Sequence, residues 1–208
     1  MNVARSCVLF VAALTIAAPN VASAAVSGDS ITSSGPLTLI RTTGDLGCAV
    51  HHELDTHGEF FGDTACATMV AVDGTLYGPA DIPAGGSATP RTTWTAESQT
   101  GSGAGTAVNP YRLVTTVSGG PVRVVQADTY VTGVESYGTR VTVTNTSASP
   151  QSLTLYRAGD CYLQHDDHGY GAIDEDAGSV SCVAGTDPGS RIEQWAPLTP
   201  GSHRLESF

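Results

Sequence analysis

The second half of the chain contains four β-strand candidates in succession, separated from one another by turn signals rich in glycine, serine or proline. The candidates span residues 111–117, 122–131, 139–144 and 151–157. Val141 and Val143 alternate with polar residues, as in a half-buried antiparallel strand. No segment after residue 24 has a sustained helical period. We therefore expect an all-β fold, an antiparallel β-sandwich that is either immunoglobulin-like or part of a larger supersandwich.

The first half adds further strand candidates at residues 36–42, 69–72, 75–77 and 91–96. Asp73-Gly74 separates the middle two and predicts a type I′ hairpin turn, because both residues tolerate the positive φ that this turn requires. Residues 79–90 are rich in glycine, alanine and serine, and residues 99–110 are polar and glycine-rich. We interpret the first of these segments as a connection and the second as a loop.

The N-terminus predicts export from the cell. Residues 1–5 are positively charged, residues 6–18 are apolar, and residues 22–24 have the small side chains that a signal peptidase reads. We expect residues 1–24 to be a signal peptide and the mature protein to be secreted, since no later stretch approaches the roughly 20 apolar residues that span a bilayer. A flexible mature N-terminus, residues 25–35, would then precede a single sandwich domain, residues 36–208.

The charge of the chain argues against two classes of partner. The sequence has 20 acidic and 9 basic residues, and its formal net charge is −11. Nucleic acids and anionic membranes bind clustered basic side chains, and the sequence has no such cluster. We therefore expect neither partner and interpret the negative charge as a solubility feature of an extracellular protein.

Four cysteines remain after removal of the signal peptide: Cys48, Cys66, Cys161 and Cys182. An even number in an exported chain predicts two disulfides, for which three connectivities exist. We expect the local pairs, Cys48 with Cys66 and Cys161 with Cys182, because each pair brackets one long polar loop. Zinc binding by the four thiolates is disfavoured because the chain has no C-x-x-C knuckle.

The two cysteine-bracketed loops also concentrate the side chains that bind metals. The candidate ligands are His51, His57, His165, Asp166, Asp167, His168, Asp174 and Asp176. Zinc needs three or four imidazole or carboxylate groups that converge, whereas calcium prefers clustered carboxylate oxygens. A zinc site that combines His165 and His168 with His51 or His57 requires the two loops to come together, whereas a calcium site would use the clustered acids of the second loop. A set of solvated loop side chains is the competing interpretation.

Aromatic residues near the second loop suggest a sugar platform made of Tyr162, Tyr170 and Trp195.

We assign no residue a catalytic role. We expect a non-catalytic protein with a binding or structural role at the cell exterior and a glycan or another cell-envelope component as its partner. The alternatives are a carbohydrate-active enzyme, which needs two acids about 5 to 10 Å apart, and a binding module that depends on calcium or zinc. No cofactor is firmly implied.

Four segments carry a resemblance to a known group of proteins: residues 44–48 (GDLGC), 59–66 (EFFGDTAC), 74–79 (GTLYGP) and 156–163 (YRAGDCYL). In them the chain resembles uncharacterised secreted β-sandwich proteins of high-GC Gram-positive bacteria, over roughly residues 30–204. The resemblance implies a bacterial secreted protein but no known activity. Members of this group continue with further strands and cysteines, which implies a fragment or a shortened member here. Residues 139–163 are more distantly similar to bacterial immunoglobulin-like surface domains, a likeness that does not fix function.

Overall fold

The protein is almost entirely β structure, as the sequence predicts. A computed structural model describes residues 25–82 and 90–201, so the predicted signal peptide lies outside the described residues. The described residues form fifteen β-strands and two one-turn 3-10 helices. None of their helices is long and apolar enough to cross a membrane.

The strands assemble into four sheets. Sheet 1 contains, in spatial order, β1 (Ala25–Ser27), β2 (Ser30–Thr32), β3 (Leu37–Thr42) and β4 (Cys48–His52). Sheet 2 has the order β12 (Leu153–Gly159), β5 (Cys66–Val72), β6 (Thr75–Gly78) and β7 (Thr92–Thr93). Sheet 3 has the order β11 (Gly138–Asn145), β10 (Val122–Tyr130), β9 (Tyr111–Gly119) and β8 (Thr95–Ser102). Sheet 4 contains β13 (Tyr170–Asp174), β14 (Ser179–Val183) and β15 (Ile192–Trp195).

Sheet 3 packs against sheets 1 and 2, which gives the antiparallel sandwich that the sequence predicts. One apolar cluster joins Ile31 and Ile40 of sheet 1 to Leu113 of sheet 3. A second cluster joins Val70 of sheet 2 to Val117 of sheet 3. Sheets 1 and 2 therefore form one layer of the sandwich and sheet 3 forms the other, because each of the first two sheets packs its apolar side chains against sheet 3.

A polar layer crosses the interior of the sandwich. The carboxylate of Asp128 accepts hydrogen bonds from Thr42 at 2.7 Å, from Thr139 at 2.6 Å and from the amide of Gln126 at 2.9 Å. The carbonyl oxygen of Gln126 accepts a hydrogen bond from Thr68 at 2.6 Å. These bonds offset the cost of removing the polar groups from water.

The structure confirms the predicted hairpin and the four strands of the second half. Val72 pairs with Thr75, so Asp73 and Gly74 form a two-residue loop with φ values of 49° and 74°. Positive φ at both central residues is the mark of the type I′ turn. The strand candidates of the second half correspond to β9, β10, β11 and β12.

Two segments interpreted as loops contain strands. Residues 25–35 are predicted to be flexible, but β1 and β2 form a hairpin there, and Ile31 of β2 is buried in the core. Within residues 99–110, β8 extends to Ser102 and pairs with β9. The side chains of β8 are almost all exposed, so its sequence has no apolar alternation that would predict a strand. Backbone hydrogen bonds to β9 stabilise this edge strand instead.

Candidate functional site

Both disulfides pair as predicted, Cys48 with Cys66 and Cys161 with Cys182. Cys48 begins β4 and Cys66 begins β5, so the first disulfide links sheet 1 to sheet 2. Cys182 lies on β14, so the second disulfide links sheet 4 to the end of β12. The polar segment within each pair is therefore closed at its base.

The two disulfide-closed loops converge, which the zinc and ligand interpretations both require. Phe60 of the first loop forms a β-bridge with Cys161 of the second. The backbone N–H of Phe61 donates to the carbonyl of Asp160 at 2.8 Å, and the N–H of Tyr162 donates to the carbonyl of Glu59 at 2.8 Å. The loops are thus joined by backbone pairing and not by side chains alone.

A groove of about 350 Å³ lies at this junction. It is lined by His57, Gly58, Phe60, Phe61, Gly62, Asp63 and Tyr162. The rings of Phe61 and Tyr162 are inclined to each other, with centroids 6.3 Å apart and an interplanar angle of 69°. Phe60 is almost fully buried and contributes to the base. The groove therefore combines aromatic walls with a few polar groups.

The polar groups of the groove are held by short contacts. Asp63 accepts a hydrogen bond from the backbone N–H of Gly58 at 2.8 Å, and its Oδ1 lies 3.0 Å from Nε2 of His51. A Cβ atom at Gly58 would lie 2.1 Å from the same oxygen, so glycine is required at this position for the contact. The ring of His57 lies edge-on to that of His165, with centroids 4.8 Å apart.

The structure brings together only part of the predicted metal-ligand set. His57 and His165 are neighbours, whereas His51 pairs with Asp63. His168 pairs with Asp166 at 3.1 Å, and hydrogen bonds from His168 lower the pKa of Asp166. Within residues 25–82 and 90–201, no three histidine, cysteine, aspartate or glutamate side chains are placed to hold a metal ion.

The remaining acids of the predicted set lie in or near turns. Asp174 ends β13, and its Oδ1 accepts a hydrogen bond from the backbone N–H of Ala177 at 3.0 Å. Asp176 lies in the turn between β13 and β14, and its side chain is exposed. Asp167 is also exposed, and its charge adds to burial in raising the pKa of Asp160. The second cysteine loop is thus a hairpin in its latter half, because β13 and β14 pair with each other.

The three residues of the predicted aromatic platform are separated. Tyr162 lines the groove. Trp195 is half-buried on β15, does not line the groove, and contacts Phe60 at a centroid distance of 6.0 Å. Tyr170 is 60% exposed at the start of β13. Only Tyr162 is therefore placed to contact a ligand in the groove.

A charged cluster lies next to Phe60. Nη1 of Arg191 donates to Oε1 of Glu59 at 3.3 Å and lies 2.7 Å from Oδ2 of Asp55, an ion pair without hydrogen-bond geometry. The Asp55 and Glu59 side chains are 8% and 7% exposed. Burial, and then the hydrogen bond and charge of Asp55, raise the pKa of Glu59 to about 7. The sequence shows both acids in the first loop but gives no sign that they share one arginine.

Glu193 on β15 extends this cluster. Its Oε2 atom is buried and has no hydrogen-bond partner among the described residues. Burial, and then the charge of Glu59, raise the pKa of Glu193 well above its usual range, while Arg157 acts in the opposite direction. Arg157 itself donates to the hydroxyls of Thr68 and Tyr137, at 3.1 and 3.0 Å. Glu193 carries no sequence signal of this role, because β15 is a four-residue strand that is not predicted from the sequence. We call these five residues the carboxyl cluster: Asp55, Glu59 and Glu193, with Arg157 and Arg191.

Comparison with known proteins gives no family for this chain: no family model matches it, and no curated protein or solved structure matches it significantly.

Proposed function

We propose that the protein is a secreted, non-catalytic binding module whose groove accepts a sugar ring of an extracellular or cell-envelope glycan. The observation that carries this proposal is the groove itself, where two disulfide-closed loops meet and present the rings of Phe61 and Tyr162 beside polar side chains. Small-molecule sites are typically concave and largely apolar, with a few polar groups that fix orientation. The predicted signal peptide and the two disulfides support an extracellular location.

The chemistry of a sugar ring fits these walls. Its C–H faces can pack against aromatic rings, while its hydroxyl groups need donors and acceptors at the edges. The groove offers the phenol group of Tyr162, the carboxylate of Asp63 and the imidazole of His57 at its edges. The disulfides and the backbone pairing between the loops restrain this arrangement before a ligand arrives, which lowers the entropic cost of binding.

The distribution of carboxyl groups favours binding over hydrolysis. Glycosidases flank the scissile bond with two carboxyl groups. Among the described residues that line the groove, Asp63 is the one acid, and it already contacts His51 and the backbone of Gly58. The closely spaced acids Asp55 and Glu59 are buried against Arg191 instead. A carbohydrate-active enzyme therefore remains the second candidate, and substrate assays test it directly.

A glycan array probed with the purified protein tests the proposal, with Tyr162→Ala as the groove variant. We expect Tyr162→Ala to weaken binding to any hit by about tenfold or more, because it removes one aromatic wall. The matched control is Tyr170→Ala, which removes the same side chain from an exposed position outside the groove. Wild-type binding by Tyr162→Ala, or equal loss in both variants, would rule out the groove as the glycan site. Turnover of generic glycosidase substrates would favour the enzyme.

A further inference from the structure

Sheet 4 packs against Phe60 and Cys161 through one of its faces. Cys182 pairs with Glu193, and Val180 pairs with Trp195, so the side chains of Glu193 and Trp195 lie on the face that carries Cys182. Trp195 contacts Phe60, and Phe60 lines the groove. The position of β15 therefore determines how firmly Phe60 is supported.

The groups facing Glu193 provide no free partner for an ionised carboxylate. Glu59, from the first loop, repels it and is itself held with Asp55 by Arg191. Arg157, from β12, attracts it but donates its hydrogen bonds to Thr68 and to Tyr137, the residue before β11. A buried carboxyl group in such surroundings is favoured in its neutral form, because an ionised oxygen without a partner is costly to keep from water.

We propose that Glu193 is a proton-operated latch for the groove: its neutral carboxyl group lets β15 lie against Phe60, and its ionisation drives β15 and Trp195 away. The link to ligand binding rests on the proposed function, but the latch does not. An acid whose pKa is raised in the folded state stabilises that state at pH values below its unfolded pKa. This stabilisation is lost as the pH rises through the folded pKa. The latch is therefore closed at low pH and opens as the pH rises through the raised pKa of Glu193.

Amide hydrogen exchange measures the latch without any ligand. The N–H groups of Phe61 and Tyr162 join the two loops, so their exchange reports opening of the junction. Their protection is expressed relative to residues 115–117 in the centre of β9, which removes the intrinsic effect of pH on exchange. We expect this relative protection in the wild type to fall by at least about tenfold between pH 6 and pH 9. Ionisation of one acid changes the opening equilibrium by about a factor of ten for each pH unit over which the acid titrates. In Glu193→Gln, which keeps the shape without the charge, we expect a much smaller fall, because Glu59 is then the remaining acid of the carboxyl cluster with a raised pKa.

Glu97→Gln is the matched control, because Glu97 pairs with Arg123 at the edge of sheet 3, away from the groove. This variant should behave like the wild type. Constant relative protection in the wild type, or an equal fall in wild type and Glu193→Gln, would overturn the latch. If Glu193→Gln does not fold, Glu59→Gln decides: a fall in relative protection that persists in Glu59→Gln supports the latch, and its loss there would overturn the latch.

Glycan binding at the two pH values separates the latch from the proposed function. An opening seen by exchange without glycan binding at either pH would leave the latch supported and the binding proposal refuted. Equal affinity for an array hit at pH 6 and pH 9, together with constant protection, would refute the latch and leave the groove as the binding site.

Discussion

The protein contains two buried polar clusters that differ in how completely their groups are paired. In the polar layer of the sandwich, the Asp128 carboxylate accepts hydrogen bonds from Thr42, Thr139 and Gln126. In the carboxyl cluster, Glu193 keeps a buried oxygen without a partner among the described residues. A fully paired cluster stabilises one arrangement of a core, whereas an incompletely paired one changes with protonation. We therefore infer a structural role for the first cluster and expect the second to respond to pH.

Arg191→Gln is expected to have the largest effect, because it leaves Asp55 and Glu59 buried together without their shared cation. We expect it to lower the free energy of unfolding by about 3 kcal/mol at pH 8, measured by urea denaturation. The matched control is Arg123→Gln, whose guanidinium pairs with Glu97 in a far more exposed position. We expect no measurable change in this control. Equal stability of the two variants would show that the carboxyl cluster does not depend on Arg191.

The pH dependence of stability should come next in size. The pKa of Glu59 is raised from 4.5 to about 7 in the folded protein, so the folded state binds the proton more tightly than the unfolded chain. Stability therefore falls as the pH rises from 5 to 8, by an amount on the order of 2 kcal/mol. Glu59→Gln should reduce this slope, measured by urea denaturation at both pH values, and leave the part that comes from Glu193. A slope unchanged in Glu59→Gln would assign the dependence to other groups.

The smallest effect is expected from removal of metal ions. The carboxyl cluster already contains two arginines, and no group of ligand-type side chains in the described part of the chain is arranged around a metal position. We expect the melting temperature to be the same with and without EDTA. A lower melting temperature in EDTA, reversed by calcium or zinc, would support the metal-dependent binding module. The two polar clusters would then differ less, since a metal ion would pair the acids of the carboxyl cluster.

The regular part of the fold follows from the sequence, because its strands obey simple local rules. Alternation along β11 and the turn chemistry of Asp73-Gly74 are local properties, and the disulfide pairs are close in sequence. Strand β8 cannot be predicted in this way, because almost all of its side chains are exposed and its stability comes from pairing with β9.

The site is less predictable than the fold, because it depends on contacts between distant segments. The first loop, which the sequence identifies as ligand-rich, contributes most of the groove. The bridge between Phe60 and Cys161, however, has no local sequence signature. The same holds for Glu193, which lies in a four-residue strand and faces Glu59 across more than a hundred residues. Charged residues in short strands near a cysteine deserve consideration as members of buried clusters.

The polar layer also fixes how the two halves of the sandwich are aligned. Asp128 is hydrogen-bonded to Thr42 in sheet 1, and Gln126 is hydrogen-bonded to Thr68 in sheet 2. One strand, β10, therefore contacts both sheets of the opposite layer through buried polar side chains. A slip of two residues along β10, about 7 Å, would separate Asp128 from Thr42 and Gln126 from Thr68, and at least one of the two buried groups would lose its partner. Thr42 pairs with Cys48, and Thr68 lies two residues after Cys66, so the two bonds on β10 help to hold the strands that the first disulfide joins.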